Sequence, residues 1–345
     1  MKTKMFLVTA IMGLMLATAL SGCTSGNDIT TEEANVQNST PPDGHGPYYV
    51  GYYYTTYYDL SWGPYHATVR YPAQSDGLYA PNIISDKPYP GIIVSGGLAD
   101  ACETIAWVAE HLTSHGYVTL TFTIPNPASL DDAQWACGFD GGIRQLKSEN
   151  ESPSSPIQGI LDIERFGVIG LSSGGGGVMQ ATSTNPEIDA AVALSPDPPE
   201  EVAVDASRIN VPIQIQVGSN DDFNNASSVY EYYAPIPDAA TKEYVEINGG
   251  SHTGYVGPGY AGIPEGWGAH LLTSTVGYDV CTIGVEEQQR IARKYFTAWF
   301  GYFIKDIHEY KTYIFGDDAQ KDLDGKVLSA LEYNYTEGHF ASNAG

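Results

Sequence analysis

Residues 167 to 180 read GVIGLSSGGGGVMQ, a short apolar run that ends on Gly170-Leu171-Ser172-Ser173-Gly174. A strand that reverses into a helix within two residues needs glycine on both sides, because the backbones approach closely there. The residue in between is left exposed on a strained turn. Here that residue is Ser172, in the G-x-S-x-G pattern of a nucleophile elbow. The chemistry such a serine offers is attack on a carbonyl carbon. A glycine-rich turn that only packs a helix onto a sheet would use the same residues, and a phosphate loop is a second alternative. No Gly-Lys-Ser/Thr follows, and no dinucleotide spacing fits. Placement between a β-like run and a helix-like run favours the elbow.

A serine hydroxyl is a poor nucleophile at neutral pH. It needs a base within hydrogen-bond reach, and the base needs a carboxylate to hold its tautomer. On a sheet of this kind the order along the chain is Ser, then Asp or Glu, then His, each just past a strand. VPIQIQVGSNDDFNN supplies the acid, with Asp221 and Asp222 in the loop after the strand. Asp221 is preferred, and Asp222 remains open. KEYVEINGGSHTGYV supplies the base, with His252 behind a Gly-Gly turn. His270 is the rival, in a Gly-rich loop, while His308 falls in the final helix and His339 in the tail. Two backbone N–H donors must meet the oxyanion. Ser173 and Leu98, the latter after GIIVSGG, are the candidates.

The elements that must position these groups are legible as short β-rich runs. They span 91–97, 117–124, 166–172, 188–195, 211–219 and 242–250, each rich in Val, Ile and Thr or bounded by glycine. Helical spacing recurs in ACETIAWVAEHLTSHG, in GGGVMQATSTN and in the long EEQQRIARKYFTAWFGYFIKDI. Strands alternating with helices predict an α/β fold, a mainly parallel central sheet with helices on both faces. Sites in such a sheet gather at the carboxyl ends of the strands. Ahead of it, GPYYVGYYYTTYYDLSWGPYHATVRYP alternates aromatic and β-favouring residues and predicts edge strands, a hairpin among them. A sugar or polymer platform is the sharper reading of those tyrosines; ordinary packing is the default. The acidic DDAQKDLDG at 317–325 misses the calcium-loop spacing and predicts a solvated turn.

The first residues do not belong to the fold. Lys2 and Lys4, an apolar run from Met5 and the closing Leu20-Ser21-Gly22-Cys23 predict a secretory signal over 1–22. The closing four resemble a lipobox, which makes Cys23 a lipidated residue; a short membrane anchor or a plain signal are the alternatives. Residues 23–46 are polar and aperiodic, a tether, and 47–345 form one folded domain. The formal charge is −25, about −27 once Lys2 and Lys4 are removed. Such a surface repels nucleic acid and anionic headgroups. Cys102, Cys137 and Cys281 fit no zinc spacing, and three cysteines leave at least one unpaired.

GLSSGGGG, SGGLADACETIAWVAEHLTSHGYV, NPEIDAAVALSPDPP and YVEINGGSHTGY together resemble the bacterial cutinase-like polyester hydrolases, over about Tyr48 to Ile304. Dienelactone-hydrolase-type enzymes share the same α/β-hydrolase superfamily. The resemblance implies the α/β-hydrolase fold and acyl transfer to water through a serine ester, with no cofactor and no metal. It implies Ser172, Asp221 and His252 as the triad and the amides of Leu98 and Ser173 as oxyanion donors. An ester substrate, small or polymeric, is the expected partner, with a monomeric chain held to the membrane through its lipid only. Three positions depart from the family: Leu98 replaces an aromatic, Leu171 a histidine and Asp197 the substrate-clamping tryptophan. The family's C-terminal disulfide also lacks a counterpart. A non-catalytic surface lipoprotein or binding module on the same fold is the rival class, and a lipase or peptidase the rival among enzymes.

Overall fold

The computed structural model describes residues 40–97, 102–126, 133–197, 206–257 and 280–335. An aromatic hairpin opens it: β1 (Tyr49–Asp59) pairs antiparallel with β2 (Gly63–Ala73), as the alternation predicts. A two-residue β3 (Gly77–Leu78) lies on the outer side of β1. The main sheet follows as β4 (Tyr89–Ser95), helix α1 (Ala106–Ser114), β5 (Val118–Thr123), α2 (Ala133–Glu151), β6 (Leu161–Leu171) and α3 (Ser173–Thr184). Then come β7 (Ala190–Leu194), β8 (Ile213–Gly218), α4 (Ala226–Tyr233), β9 (Lys242–Ile247) and α5 (Val285–Phe303). Short α6 (Lys311–Phe315) and α7 (Asp317–Asp324) precede the edge strand β10 (Leu328–Asn334).

The ten strands form one sheet in the order β10-β9-β8-β7-β6-β4-β5-β2-β1-β3. β4 to β9 run parallel; β2 joins β5, and β10 joins β9, antiparallel. A strand with helices on both faces has no polar side, so β4, YPGIIVS, is buried along its whole length. Its successive side chains enter opposite cores. Ile93 belongs to the core that also holds Phe139 and Ile143 of α2 and Val178 of α3; Ile92 and Val94 belong to the one that holds Val108 of α1 and Phe296 and Trp299 of α5. This is the α/β-hydrolase arrangement, a mainly parallel sheet with helices on both faces.

Several features differ from the sequence expectation; His308, expected in the final helix, lies past its end at Phe303 and opens a separate 3₁₀ turn, His308–Tyr310. Helix α2 forms where the sequence analysis assigned no element; Gly138, Gly141 and Gly142 are poor helix formers taken alone. A Cβ on them would come within 2.3 Å of Phe122, 2.5 Å of Tyr57 and 2.8 Å of Ile93, so the helix can approach the sheet only through glycine. Residues 317–324, predicted as a solvated turn, form helix α7; Lys321 bonds Asp318 one turn back and Ala319 is buried. The polar stretch assigned to a tether through residue 46 is bonded to the body from Thr40 on. Thr40 O accepts from Tyr310 (3.0 Å), Pro42 O from His111 Nε2 (2.9 Å) and Gly44 O from His115 Nε2 (2.8 Å). Gly46 N donates to Ser114 Oγ at 2.9 Å, and a Cβ on Gly46 would lie 2.0 Å from Ser114 O. Among the described residues no helix is long and apolar enough to cross a membrane.

Candidate active site

Strand β6 ends on Leu171, whose side chain is buried in the core on the α5 side. Ser172 follows at φ 57, ψ −123, a left-handed conformation that costs a non-glycine residue about 1–2 kcal/mol. Three backbone bonds fix it there: Ser172 N donates to Leu194 O at 2.9 Å, and Ser172 O accepts from Gly176 N and from Asp197 N, each at 3.0 Å. The flanking glycines are required by space. A Cβ on Gly170 would sit 2.3 Å from Gly174 O, and one on Gly174 would sit 2.3 Å from Gly96 O. The glycine-rich run is explained by contact: β6, α3 and the end of β4 meet within backbone distance around one serine.

The loop after β8 holds Asp221 buried at 3 % exposure, while its neighbour Asp222 is exposed. Asp221 Oδ1 accepts from the backbone N–H of Phe223 (3.0 Å) and Asn224 (2.7 Å). Its Oδ2 accepts from His252 Nδ1 at 3.0 Å and from the hydroxyl of Ser195. A carboxylate of this kind can only accept, so Nδ1 carries the imidazole proton and Nε2 is the acceptor nitrogen. Of the two acids left open by the sequence, Asp221 is the one in contact with His252.

His252 stands on the turn between β9 and a short 3₁₀ segment, Thr253–Tyr255. The turn is clipped to α5 by Gln288, which accepts from Ser251 N (2.9 Å) and donates to Ser251 O (2.8 Å). A Cβ on Gly254 would lie 1.9 Å from Gln288 Oε1, so that clip too depends on a glycine. The acid and base loops abut because Gly218 faces Gly250, where a Cβ would come to 2.3 Å. Burial pushes the Tyr255 phenol well above its ordinary range, and the Asp221 charge adds to the push.

Ser173 is the first residue of α3, where backbone N–H groups have no intrahelical acceptor. On the other side, a Cβ on Gly97 would lie 2.7 Å from Ser172 Cβ, so the chain leaving β4 passes against the serine. Leu98 itself lies outside the described residues, as do Cys23, His270 and His339. Trp135 of α2 donates its indole N–H to Gly96 O at 3.1 Å and props this exit.

Ser195 and Gln288 carry no sequence signal of their role. Ser195 stands in a Ser-Pro run that reads as a turn, yet it is fully buried, sits at φ 42 and reaches Asp221. Asp197 is half-buried, with its N–H on Ser172 O at 3.0 Å; its charge contributes, after burial, to raising the Tyr232 phenol. Among the described residues Cys102, Cys137 and Cys281 form no disulfide with one another.

With this geometry in place, the comparisons with known proteins are specific. The family model described as PET hydrolase-like matches residues 67–261, a stretch that contains Ser172, Asp221 and His252. A bis(hydroxyethyl) terephthalate hydrolase of Streptomyces coelicolor is 28% identical over 180 residues, covering 51% of this chain and 54% of its own. Cutinase est1 of Thermobifida alba is 31% identical over 180 residues, 51% of this chain and 56% of its own. Cutinase cut1 of Thermobifida fusca is 28% identical over 183 residues, 51% and 52%. The alignments thus cover about half of this chain and about half the length of the curated relatives it matches.

Proposed function

The chain belongs to the PET hydrolase-like family of the α/β-hydrolase superfamily, and on that premise we propose that it is a cutinase-like serine carboxylic ester hydrolase working through an acyl-enzyme. The observation that carries the proposal is the 3.0 Å bond from His252 Nδ1 to the buried Asp221; the positive φ of Ser172 in its glycine-flanked turn supports it. Nε2 of His252 takes the proton of Ser172 Oγ as that oxygen attacks the ester carbonyl. The charge that forms on the carbonyl oxygen is met by the N–H of Ser173 and the N–H of Leu98, each worth roughly 3 kcal/mol in the transition state. The leaving alcohol departs with the proton held on Nε2. Water then repeats the sequence on the serine ester, giving the carboxylic acid and restoring Ser172. Asp221 stays ionised throughout and holds the ring in one tautomer.

The substrate is an ester, small or polymeric, and the acidic surface disfavours anionic ones. The Ser172→Ala variant is expected to lose p-nitrophenyl butyrate hydrolysis by on the order of a million-fold, with its circular dichroism unchanged. A residual rate within tenfold of wild type removes the serine from the mechanism. A fluorophosphonate probe that labels wild type and not Ser172→Ala separates a hydrolase from a binding module on the same fold. The enzyme works at the cell surface, held there by a lipid on Cys23, as the signal-like residues 1–22 suggest. Cys23→Ser is then expected to move the protein from the detergent phase to the aqueous phase; a wild-type protein found wholly in the aqueous phase removes the anchor.

A further inference from the structure

The hairpin that precedes the main sheet has one face in the core and one face open. Tyr53 and Tyr57 are buried, whereas Tyr54 and Tyr58 on the opposite face are 63% and 74% exposed. Across from them on β2, Tyr52 pairs with Arg70 and Tyr54 with Thr68. Between this face and helix α1 lies a cavity of about 820 Å³, walled by Tyr52, Tyr54, Glu103, Trp107, Glu110 and Arg293 among others. A second cavity of about 470 Å³ continues along the same face past His66 to Cys102 and shares Tyr54 and Thr68 with the first. One cavity of the first size is ordinary for a small ligand. Two joined along a strand make a track.

The chemistry of the walls selects what fits. Tyr52 and Tyr54 stand 5.9 Å apart in an edge-to-face pair, and their faces offer apolar plates to ring C–H groups. Glu103 and Glu110 flank the buried Arg70 at 3.1 and 3.7 Å and keep oxygens that can accept. Arg293 is half-buried on the cavity wall, and its guanidinium makes no hydrogen bond or ion pair among the described residues. It is a fork of donors in want of acceptors. An anionic ligand meets Asp43, Asp76, Glu103 and Glu110 and a chain of formal charge −25. A cation meets Arg70 and Arg293, and no three acidic, histidine or cysteine groups among the described residues are placed to hold a metal ion. A hydroxyl group both donates and accepts, so a neutral polyol engages the carboxylates and the guanidinium together without burying a charge.

We propose that this track, along the open face of the β1–β2 hairpin beside Tyr52, Tyr54 and Arg293, binds a neutral polysaccharide chain. This goes beyond the hydrolase reading and holds whether or not Ser172 cleaves an ester. The track is mechanically close to the site: Trp107 on its wall donates its indole N–H to Tyr255 O at 2.9 Å, three residues past His252. A glycan held there keeps the candidate site next to a polymer surface.

The test uses native gels containing soluble xylan, galactomannan or β-glucan, with polygalacturonate as the anionic control. The probe protein is the Ser172→Ala variant, so that hydrolysis plays no part. At least one neutral polysaccharide is expected to retard it. The further pair Tyr52→Ala/Tyr54→Ala is expected to weaken that retardation by about tenfold or more, through the loss of two ring contacts. Arg293→Gln weakens it as well. Placed in the wild-type background, the same substitutions leave p-nitrophenyl butyrate hydrolysis within twofold. If the double variant does not fold, Tyr54→Gln, at an exposed position, replaces it. No retardation by any neutral polysaccharide, retardation unchanged in the tyrosine variants, or stronger retardation by polygalacturonate overturns the proposal. Loss of esterase activity in Ser172→Ala is read separately and bears only on the hydrolase proposal.

Discussion

Replacing Ser195 by alanine isolates one hydrogen bond in the acid–base pair. Ser195 is fully buried just past β7, and its hydroxyl donates to Asp221 Oδ2, the oxygen that also receives His252 Nδ1. Asn224 Nδ2 in turn bonds Ser195 O at 2.8 Å, so the serine and the acid loop hold each other. A hydrogen bond to a charged group contributes about 1.5–3 kcal/mol. Expressed wholly in the transition state, that is roughly a tenfold to 150-fold loss of rate. Asp221 keeps the N–H groups of Phe223 and Asn224 on Oδ1, so the carboxylate loosens without leaving. The lower end, roughly tenfold in kcat/KM for p-nitrophenyl butyrate, is therefore expected. KM should stay within twofold, since the hydroxyl is aimed at the acid and not at bound ester. Ser195→Gly removes the same hydroxyl but frees a backbone held at φ 42. It should show the same kinetic loss with a smaller loss of stability, by about 1–2 kcal/mol of relieved strain, read as a higher Tm than that of Ser195→Ala. A Ser195→Ala enzyme within twofold of wild type in kcat/KM refutes the role, and so does full activity in Ser195→Gly.

Asp221→Ala should lose activity by on the order of ten-thousand-fold, while the exposed Asp222→Ala stays near wild type; equal losses would mean that the acid is not Asp221. Gly174→Ala would drive a Cβ to 2.3 Å from Gly96 O, so it should be inactive and less stable by about 1–3 kcal/mol in urea titration. Asp197→Trp, beside Ser172 O, adds an aromatic face worth about 0.5–1.5 kcal/mol. It should speed release of product from an aromatic polyester film and leave p-nitrophenyl acetate nearly unchanged; no change with either substrate would place Asp197 away from the bound acyl chain. Burial lowers His115 to about 4 and His111 well below its ordinary value. The unfolded chain therefore binds more protons than the native one between about pH 6.5 and 4, and stability rises with pH across that window. Stability should fall as pH is lowered through it, by up to about 1.4 kcal/mol per pH unit for each histidine, seen as a falling Tm, and His111→Gln/His115→Gln should flatten the slope.

Most of the parallel strands were legible as short runs rich in Val, Ile, Thr or Ala or bounded by glycine, and the hairpin because β1 alternates buried and exposed tyrosines. Ser172, Asp221 and His252 are proposed as a set because each sits just past a strand, in the order the sequence expectation requires. The rest depended on partners distant in the chain. The glycines of α2 look like helix breakers until Phe122, Tyr57 and Ile93 are seen against them. Strand β10 has the burial pattern of an edge that follows no period, and it exists because β9 offers it a ladder. Gln288 is one more polar residue on a long helix until Ser251 lies across it.

The segment from Thr40 to Gly46 bears on proteolysis. A protease must draw several residues into an extended strand across its own cleft before it can cut. Backbone groups at Thr40, Pro42, Gly44 and Gly46 are each already bonded to Tyr310, His111, His115 and Ser114, and Gly46 is lodged where no side chain would fit. Asp43 adds a side-chain bond to Arg290 at 2.8 Å. Trimming from the N-terminal side therefore stalls at this segment, and the body it sheds keeps His111 and His115 covered.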